Sequence, residues 1–419
     1  MDATIPAETQ RGVIPRSRKA LVVFCPHGIG DPLVGPLMLD YVLKLQQRTT
    51  AYDVLFFTEE PPNAIEPAGI REVLGQARVK WVPLRYDVTG RQWLQKWRIL
   101  RALWSSTRAF VKHYERSWLV GYLSYGGSYA MLGRWLGLGK CAVVCFEPHS
   151  RYMVEMGIWG RRSIKALVMD RLERWQMERS DLLVVPTTAV RDLALANGAT
   201  GRVEMQAITI DVDGGHFDAT ARSDMRNEWD LGGATVLVYV GKFGGIYHSV
   251  DDYMRFVERL SVVDPQLRFF IISQEAELER FRAHRLFPFL SERLVLHPPV
   301  PASDLHRYLS VADVGVIAIP PTPSQAYRTP VKTAHYWAAG LPVVIPRGVS
   351  DDHRIAEEEH VGIAVDDLPT IDPGPFLNEM RRLLEGDRQQ LRERCVATAR
   401  RYRDSSRMVE LLQRSLASD

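Results

Sequence analysis

Residues 20–31 read ALVVFCPHGIGD, and residues 235–245 read TVLVYVGKFGG. Each stretch opens on an apolar run long enough for a strand covered on both faces, Ala20 to Phe24 in the first and Thr235 to Val240 in the second. Each run then breaks into turn formers: Pro26-His27-Gly28-Ile29-Gly30-Asp31 in one case, Gly241-Lys242-Phe243-Gly244-Gly245 in the other. Helical spacing follows, from Leu37 to Leu45 and from Val250 to Leu260. Strand, glycine loop and helix open a doubly wound α/β fold, whose ligands gather outside the C-terminal strand ends. The phrase occurs twice, about 215 residues apart, and so predicts two such halves.

Working outward, both halves continue with alternating strand and helix candidates. The strands of the first include Asp53 to Phe57, Ser117 to Leu123, Cys141 to Phe146 and Leu182 to Val185. Those of the second include Arg268 to Ile272, Arg293 to Leu296, Val314 to Ala318 and Pro342 to Ile345. The joint falls in the polar, turn-rich stretch Asp211 to Asp224. Asp387 to Leu416 has helical apolar spacing among many Arg and Glu, which suits a terminal helix packing back across the joint. The expected organisation is a lead-in over 1–19, an N-terminal Rossmann-like domain over 20–213, a C-terminal one over 214–395, and a returning helix over 396–419. The fold class is α/β, with two facing Rossmann-like domains and a cleft between them.

Composition sets bounds. A chain of 419 residues exceeds the usual limit of one core. A net charge of +3 gives no global reason to bind nucleic acid. Cys25, Cys141, Cys145 and Cys395 are too scattered for a disulfide framework, and buried thiols in a reducing, cytoplasmic compartment are expected. No apolar run approaches the roughly 20 residues that span a bilayer. Met1 to Lys19 lacks the apolar stretch of a signal peptide.

The stretch Leu305 to Pro346 is more specific. It carries Ala312-Asp313 before a strand-like run, then Thr329-Pro330-Val331-Lys332, then Ala338-Ala339-Gly340-Leu341-Pro342-Val343. This closely resembles the C-terminal signature of the family 4 retaining glycosyltransferases, which have the two-domain GT-B fold. Val240-Gly241-Lys242, Ile210-Asp211 with His216-Phe217, and Phe146-Glu147-Pro148-His149-Ser150 resemble other family phrases in the same order. The resemblance implies transfer of a hexosyl group, with retention, from a nucleotide diphosphate-sugar to a glycan or lipid-linked acceptor. It implies no cofactor and no metal beyond that co-substrate.

Free backbone N–H groups at a glycine turn or a helix N-terminus bind diphosphate without side-chain bulk. Gly241, Gly244 and Gly245 are the first expected donor cradle, with Lys242 adding a cation. The helix opening at Thr329, Pro330 and Val331 is the second, with Lys332 beside it. The resemblance makes His149, Lys242 and Lys332 the catalytic candidates and places His335 at the donor. His149 would hydrogen-bond the transferred sugar; the two lysines would stabilise the leaving diphosphate. His27, Gly28, Gly30 and Asp31 would face the acceptor, although Asp31 also reads as a helix cap. The chain departs from the family at Tyr327 and His335, which stand where Glu is usual, and at Tyr247-His248, where a second Lys is common.

Residues 85–120 hold eight Lys or Arg against two acids, interleaved with Trp93, Trp97, Trp104 and Trp118. That mixture suits either a helix on an anionic membrane surface, at the inner face of the cell membrane, or an amphipathic helix with its tryptophans in the core. Two other functions share much of this reading. One is a sugar-nucleotide epimerase of the same fold; the other is a glycosyltransferase-like subunit that binds without catalysing. A dinucleotide dehydrogenase is disfavoured, because neither loop spells G-x-G-x-x-G with an acid about 20 residues on.

Overall fold

The computed structural model describes residues 18–31, 33–85 and 92–417, with Gln92 and Trp93 described by backbone alone. The lead-in up to residue 17 lies outside these residues, as do Pro32, residues 86–91 and the Trp93 side chain. The two opening phrases become inner strands of two wholly parallel sheets. In the N-terminal sheet the strands are β1 (Lys19–Cys25), β2 (Tyr52–Glu60), β3 (Val79–Arg85), β4 (Ser117–Tyr122), β5 (Lys140–Val144), β6 (Leu182–Val185) and β7 (Arg202–Met205). Their order is β3-β2-β1-β4-β5-β6-β7. The C-terminal sheet holds β8 (Val236–Val240), β9 (Arg268–Ile272), β10 (Leu294–His297), β11 (Val314–Val316), β12 (Val343–Pro346) and β13 (Gly362–Val365), in the order β10-β9-β8-β11-β12-β13. The order reverses once in each sheet, beside β1 and beside β8. There the crevice at the C-terminal strand ends forms the ligand site of such folds.

Burial explains why these runs are strands. Val22, Val23, Phe24, Val236, Leu237 and Val238 are almost wholly enclosed by helices on both sheet faces. At the N-terminal reversal the helix Leu123–Trp135 lies unusually close to the sheet. A Cβ on Gly121 would sit 2.2 Å from the carbonyl oxygen of Gly126, and one on Gly126 2.4 Å from that of Phe24. Any side chain there would lift the helix off β1 and β4.

The Ala312-Asp313 pair has a structural task. Asp313 accepts from the Val236 amide at 2.9 Å and from Arg222 at 2.8 Å, tying the start of β8 to the helix Ala219–Glu228.

The single terminal helix expected over Asp387 to Leu416 is in fact two, Arg388–Arg403 and Ser405–Ala417, broken at Asp404. The first packs on the C-terminal half through Leu391, Cys395 and Ala399. The second buries Met408, Val409, Leu411, Leu412 and Leu416 in the N-terminal core. The break is stabilised from both sides. Asp404 caps the second helix by accepting from the Ser406 amide at 2.8 Å, and Ile210 and Asp404 form a short parallel bridge between the halves. Beside it, Arg403 is fully enclosed and bonds Asp352 at 2.7 Å, the Pro330 carbonyl at 2.8 Å and the Ile208 carbonyl at 3.0 Å.

Candidate active site

The C-terminal strand ends of both sheets face one cavity of about 1020 Å³. Among the sequence candidates, His27, His149, Thr329, Pro330, Val331 and Lys332 line it. Gly28, Gly30, Asp31, Gly241, Lys242, Gly244, Gly245 and His335 do not.

The C-terminal wall is the start of the helix Val331–Ala338. Pro330 precedes it in an extended conformation and no side chain caps it, so its first amides point at the cavity. Lys332 is half-buried there, with Nζ 4.0 Å from the ring centre of Tyr247 and 5.5 Å from that of Tyr239. Burial first, and then repulsion from Arg328, push its ammonium down to about 7. Gly241 explains how the lysine fits. Its φ is +142°, and a Cβ there would lie 2.4 Å from the lysine Cε.

Glycine at this position therefore makes room for Lys332. The cradle expected from the glycine loop is largely spent on the chain itself. The Gly241 amide donates to the Ile272 carbonyl at 3.0 Å and the Gly244 amide to that of His248 at 2.9 Å. Lys242 is exposed, and its carbonyl accepts from the Tyr239 hydroxyl at 2.5 Å. His335 sits further along the helix, held neutral to about 4 by burial and the nearby Arg403.

The sequence reading missed Arg328. It lines the cavity one residue before Thr329, with its guanidinium 4.5 Å from the ring centre of Tyr152. Its Nε lies 2.6 Å from Glu147 of the opposite domain, and its Nη1 is buried without a hydrogen-bond partner. The signal was present, an arginine directly before Thr-Pro-Val-Lys, but only the fold shows that it turns inward. Tyr327 turns the other way, and its hydroxyl accepts from Arg151 at 3.2 Å.

The N-terminal wall carries His149 at the start of the helix His149–Glu155. Its ring stands edge-on to Trp159, with centres 5.3 Å apart, and near Tyr125 at 5.8 Å. Glu147 Oε1 lies 3.9 Å from its Nδ1. The backbone is fixed from behind by buried Glu173, which accepts from the Ser150 amide at 3.2 Å and from the Ser124 hydroxyl at 2.6 Å. Glu59, at the end of β2, reaches the same cavity and accepts from Tyr129 at 2.8 Å; burial raises its carboxyl. Leu33, Leu37, Ile99, Leu100, Leu123 and Phe146 give this wall an apolar stretch, and Gln95, Lys96 and Lys165 face the cavity beside it.

Beyond Pro26 and His27, the first glycine loop stands back from the cavity. Its Ile29 amide donates to Glu60 at 2.8 Å, and a Cβ on Gly28 would lie 2.7 Å from that carboxylate. Asp31 accepts from the Leu33 amide at 2.8 Å and so closes a turn, whereas the helix that follows, Gly35–Leu39, has no side-chain cap.

Further polar ties draw the walls together. Glu155 accepts from the Ser324 amide at 2.9 Å and its hydroxyl at 2.8 Å, and from the Thr322 hydroxyl. Asp351 accepts from the Thr188 amide at 2.7 Å and its hydroxyl at 2.6 Å. The basic stretch 85–120 divides. Trp118 is buried in β4 and Trp104 packs 6.1 Å from Phe24, while Trp97 is exposed. Among the described residues no helix is long and apolar enough to cross a membrane, and no three His, Cys, Asp or Glu come together as a metal site.

Residues 322–403 match the family model described as Glucosyltransferase 3-like, C-terminal domain. No curated protein matches the chain. Among solved structures, HepE of Anabaena in complex with UDP is similar, at 10% identity and a TM-score of 0.67, over 96% of this chain and 100% of that one. Sucrose-phosphate synthase of Thermosynechococcus elongatus aligns with 15% identity and a TM-score of 0.66, over 96% and 100%. A trehalose 6-phosphate synthase of Burkholderia multivorans gives 15% and 0.64, over 96% and 97%. At these identities the likeness shows the fold, which is the two-domain glycosyltransferase architecture that the stretch 305–346 led the sequence reading to expect.

Proposed function

We propose that this chain is a glycosyltransferase that moves a hexosyl group, with retention, from a nucleotide diphosphate-sugar to a glycan or lipid-linked acceptor. One observation carries the reading. The uncapped N-terminus of Val331–Ala338, Lys332 and Arg328 converge on one wall of the cavity, opposite His149. Backbone dipole and two cations suit a diphosphate that gains charge as the sugar departs. The match over 322–403 and the complexes of HepE with UDP and UDP-glucose make UDP-glucose the first donor to try.

In this reading the diphosphate lies against Arg328, Lys332 and the amides from Val331 onward. The sugar projects towards His149, whose ring is steadied by Trp159 and Tyr125. The oxocarbenium-like sugar then meets an acceptor lodged along the apolar N-terminal wall near Glu59. Lys242, exposed and outside the cavity lining, is left the part of meeting charge as the donor approaches. Charge on the leaving group is carried by the chain's own cations, so we expect turnover without added metal.

The test is to incubate the protein with UDP-, GDP-, ADP- and CMP-sugars, following thermal stabilisation and nucleotide release. One series should stabilise the wild type, and Arg328→Ala and Lys332→Ala should each remove the shift. Stabilisation by none of them would favour the binding-subunit alternative. Nuclear magnetic resonance of the product's anomeric centre checks retention, and chelator checks the metal.

A further inference from the structure

The cavity opens beside a surface that nothing in the preceding reading uses. The loop ahead of the helix Ile164–Arg179 and that helix's first turns run Ile158-Trp159-Gly160-Arg161-Arg162-Ser163-Ile164-Lys165-Ala166-Leu167-Val168. Ala166 and Met169 face inward, with Trp159 in the same small buried cluster. Ile164, Leu167 and Val168 share the outer face and are 81%, 57% and 52% exposed; Ile158 beside them is 58% exposed. Four neighbouring aliphatic side chains turned to water need a reason, because a soluble protein's helix start is ordinarily polar there.

The charge around them is mainly positive, and the neighbouring acid, Asp170, is paired with Arg174 at 2.9 Å. Arg161, Arg162 and Lys165 are exposed within the stretch, Arg171 follows one turn beyond Val168, and no acid occurs from Met156 to Met169. Glu155, just before, faces the other domain and is taken up by Ser324. Lys165 Nζ lies 4.6 Å from the ring centre of Trp159, the ring that also abuts His149. Lys165 and His149 line the same cavity, so the patch borders its mouth.

We propose that Ile158, Arg161, Arg162, Ile164, Leu167 and Val168 dock the N-terminal half on an anionic lipid bilayer, with the cavity mouth at the lipid surface. Aliphatic side chains enter the headgroup boundary while the flanking cations meet the lipid charges. A second copy of the chain is the poorer occupant, since a two-fold contact would set the arginines of both copies against one another. The surface differs from residues 85–120, where Trp104 and Trp118 are taken into the core and Trp97 is exposed. The inference rests on the proposed function only where it assigns a lipid carrier to the acceptor.

The experiment is flotation of the full chain with vesicles of phosphatidylcholine containing phosphatidylglycerol, against phosphatidylcholine alone. The wild type should float with the anionic vesicles and lose binding at high salt. At about a fivefold contribution per surface cation, R161A/R162A should lower partitioning roughly 25-fold. Ile164→Ser/Leu167→Ser should lower it on both vesicle types without moving the thermal midpoint. Arg108→Ala/Lys112→Ala on the other basic face should leave it unchanged. No binding by the wild type, or binding by the 161/162 and 164/167 variants equal to that of the wild type, overturns the proposal. So does a dimer that those variants dissociate in sedimentation. Nucleotide stabilisation, read on the same samples, fails or persists independently and so separates loss of this surface from loss of the proposed donor site.

Discussion

Lys332 makes donor binding a proton-linked event. In the free protein, burial and Arg328 hold its ammonium at about 7, against an ordinary value of 10.5. A diphosphate seated at the start of Val331–Ala338 supplies the missing anion and returns the group towards its ordinary value. At about pH 8 the free protein then carries roughly 0.1 proton on Lys332 and the complex almost one, so UDP-glucose binding takes up roughly 0.9 proton. At about pH 6 both states are charged and uptake falls to roughly 0.1. The same arithmetic weakens affinity roughly 50-fold between pH 7 and pH 9. UDP-glucose is the proper ligand, since neither of its phosphates titrates in that range. Titration calorimetry in buffers of different ionisation enthalpy reads the uptake directly, and Lys332→Met should bind weakly with none. Binding at pH 8 with no proton uptake in the wild type would refute the reasoning, because the lysine would then be charged before the donor arrives.

Four further outcomes follow from the same contacts. The Lys332 value is lowered on folding, so between about pH 7 and 10.5 the unfolded chain holds the extra proton. Stability from this group rises with pH through that window and is flat below it, and the slope should be absent from denaturant titrations of Lys332→Met. Gly241→Ala strains a left-handed backbone and displaces the lysine, which should lower stability by about 1–2 kcal/mol and abolish proton uptake on donor binding. Arg403→Ala leaves Asp352 buried without its cation and should cost roughly 3–5 kcal/mol in chemical denaturation. Glu155→Ala removes the acceptor for Thr322 and Ser324, so amide exchange at 322–327 should accelerate while the core strands stay protected.

Both opening phrases and most of the eight later strand candidates were legible because their side chains are enclosed on two faces; the edge strand β10, half-buried throughout, was legible from its Leu-Val-Leu run alone. The strands that escaped naming were β3, β7 and β13, all at sheet edges. β3 carries Lys80 and Pro83 in a half-exposed run, and β7 is only four residues long with none fully buried. Edge strands need less apolar sequence, so their pattern is weaker. In the site, Thr329 to Lys332 could be read because a proline-opened helix after an extended loop is a local feature. Glu147 could be read as a supporting group near His149, but its partner Arg328, 181 positions away, could not, nor could Glu173, which acts through Ser150 23 positions before it. The glycine loops misled in one respect. Their glycines admit a neighbouring side chain or close a turn, and two of the three donor-loop amides bond the chain itself.

The return of Ser405–Ala417 to the first domain also sets an order of events during synthesis. Five apolar side chains of that helix complete a core whose other residues begin at Leu21. The half of the protein that leaves the ribosome first, up to residue 213, therefore cannot complete this core until about 200 further residues have followed it. In the interval the apolar surface beside the helix Asp40–Arg48 that this last helix covers stays open to water and to chaperones.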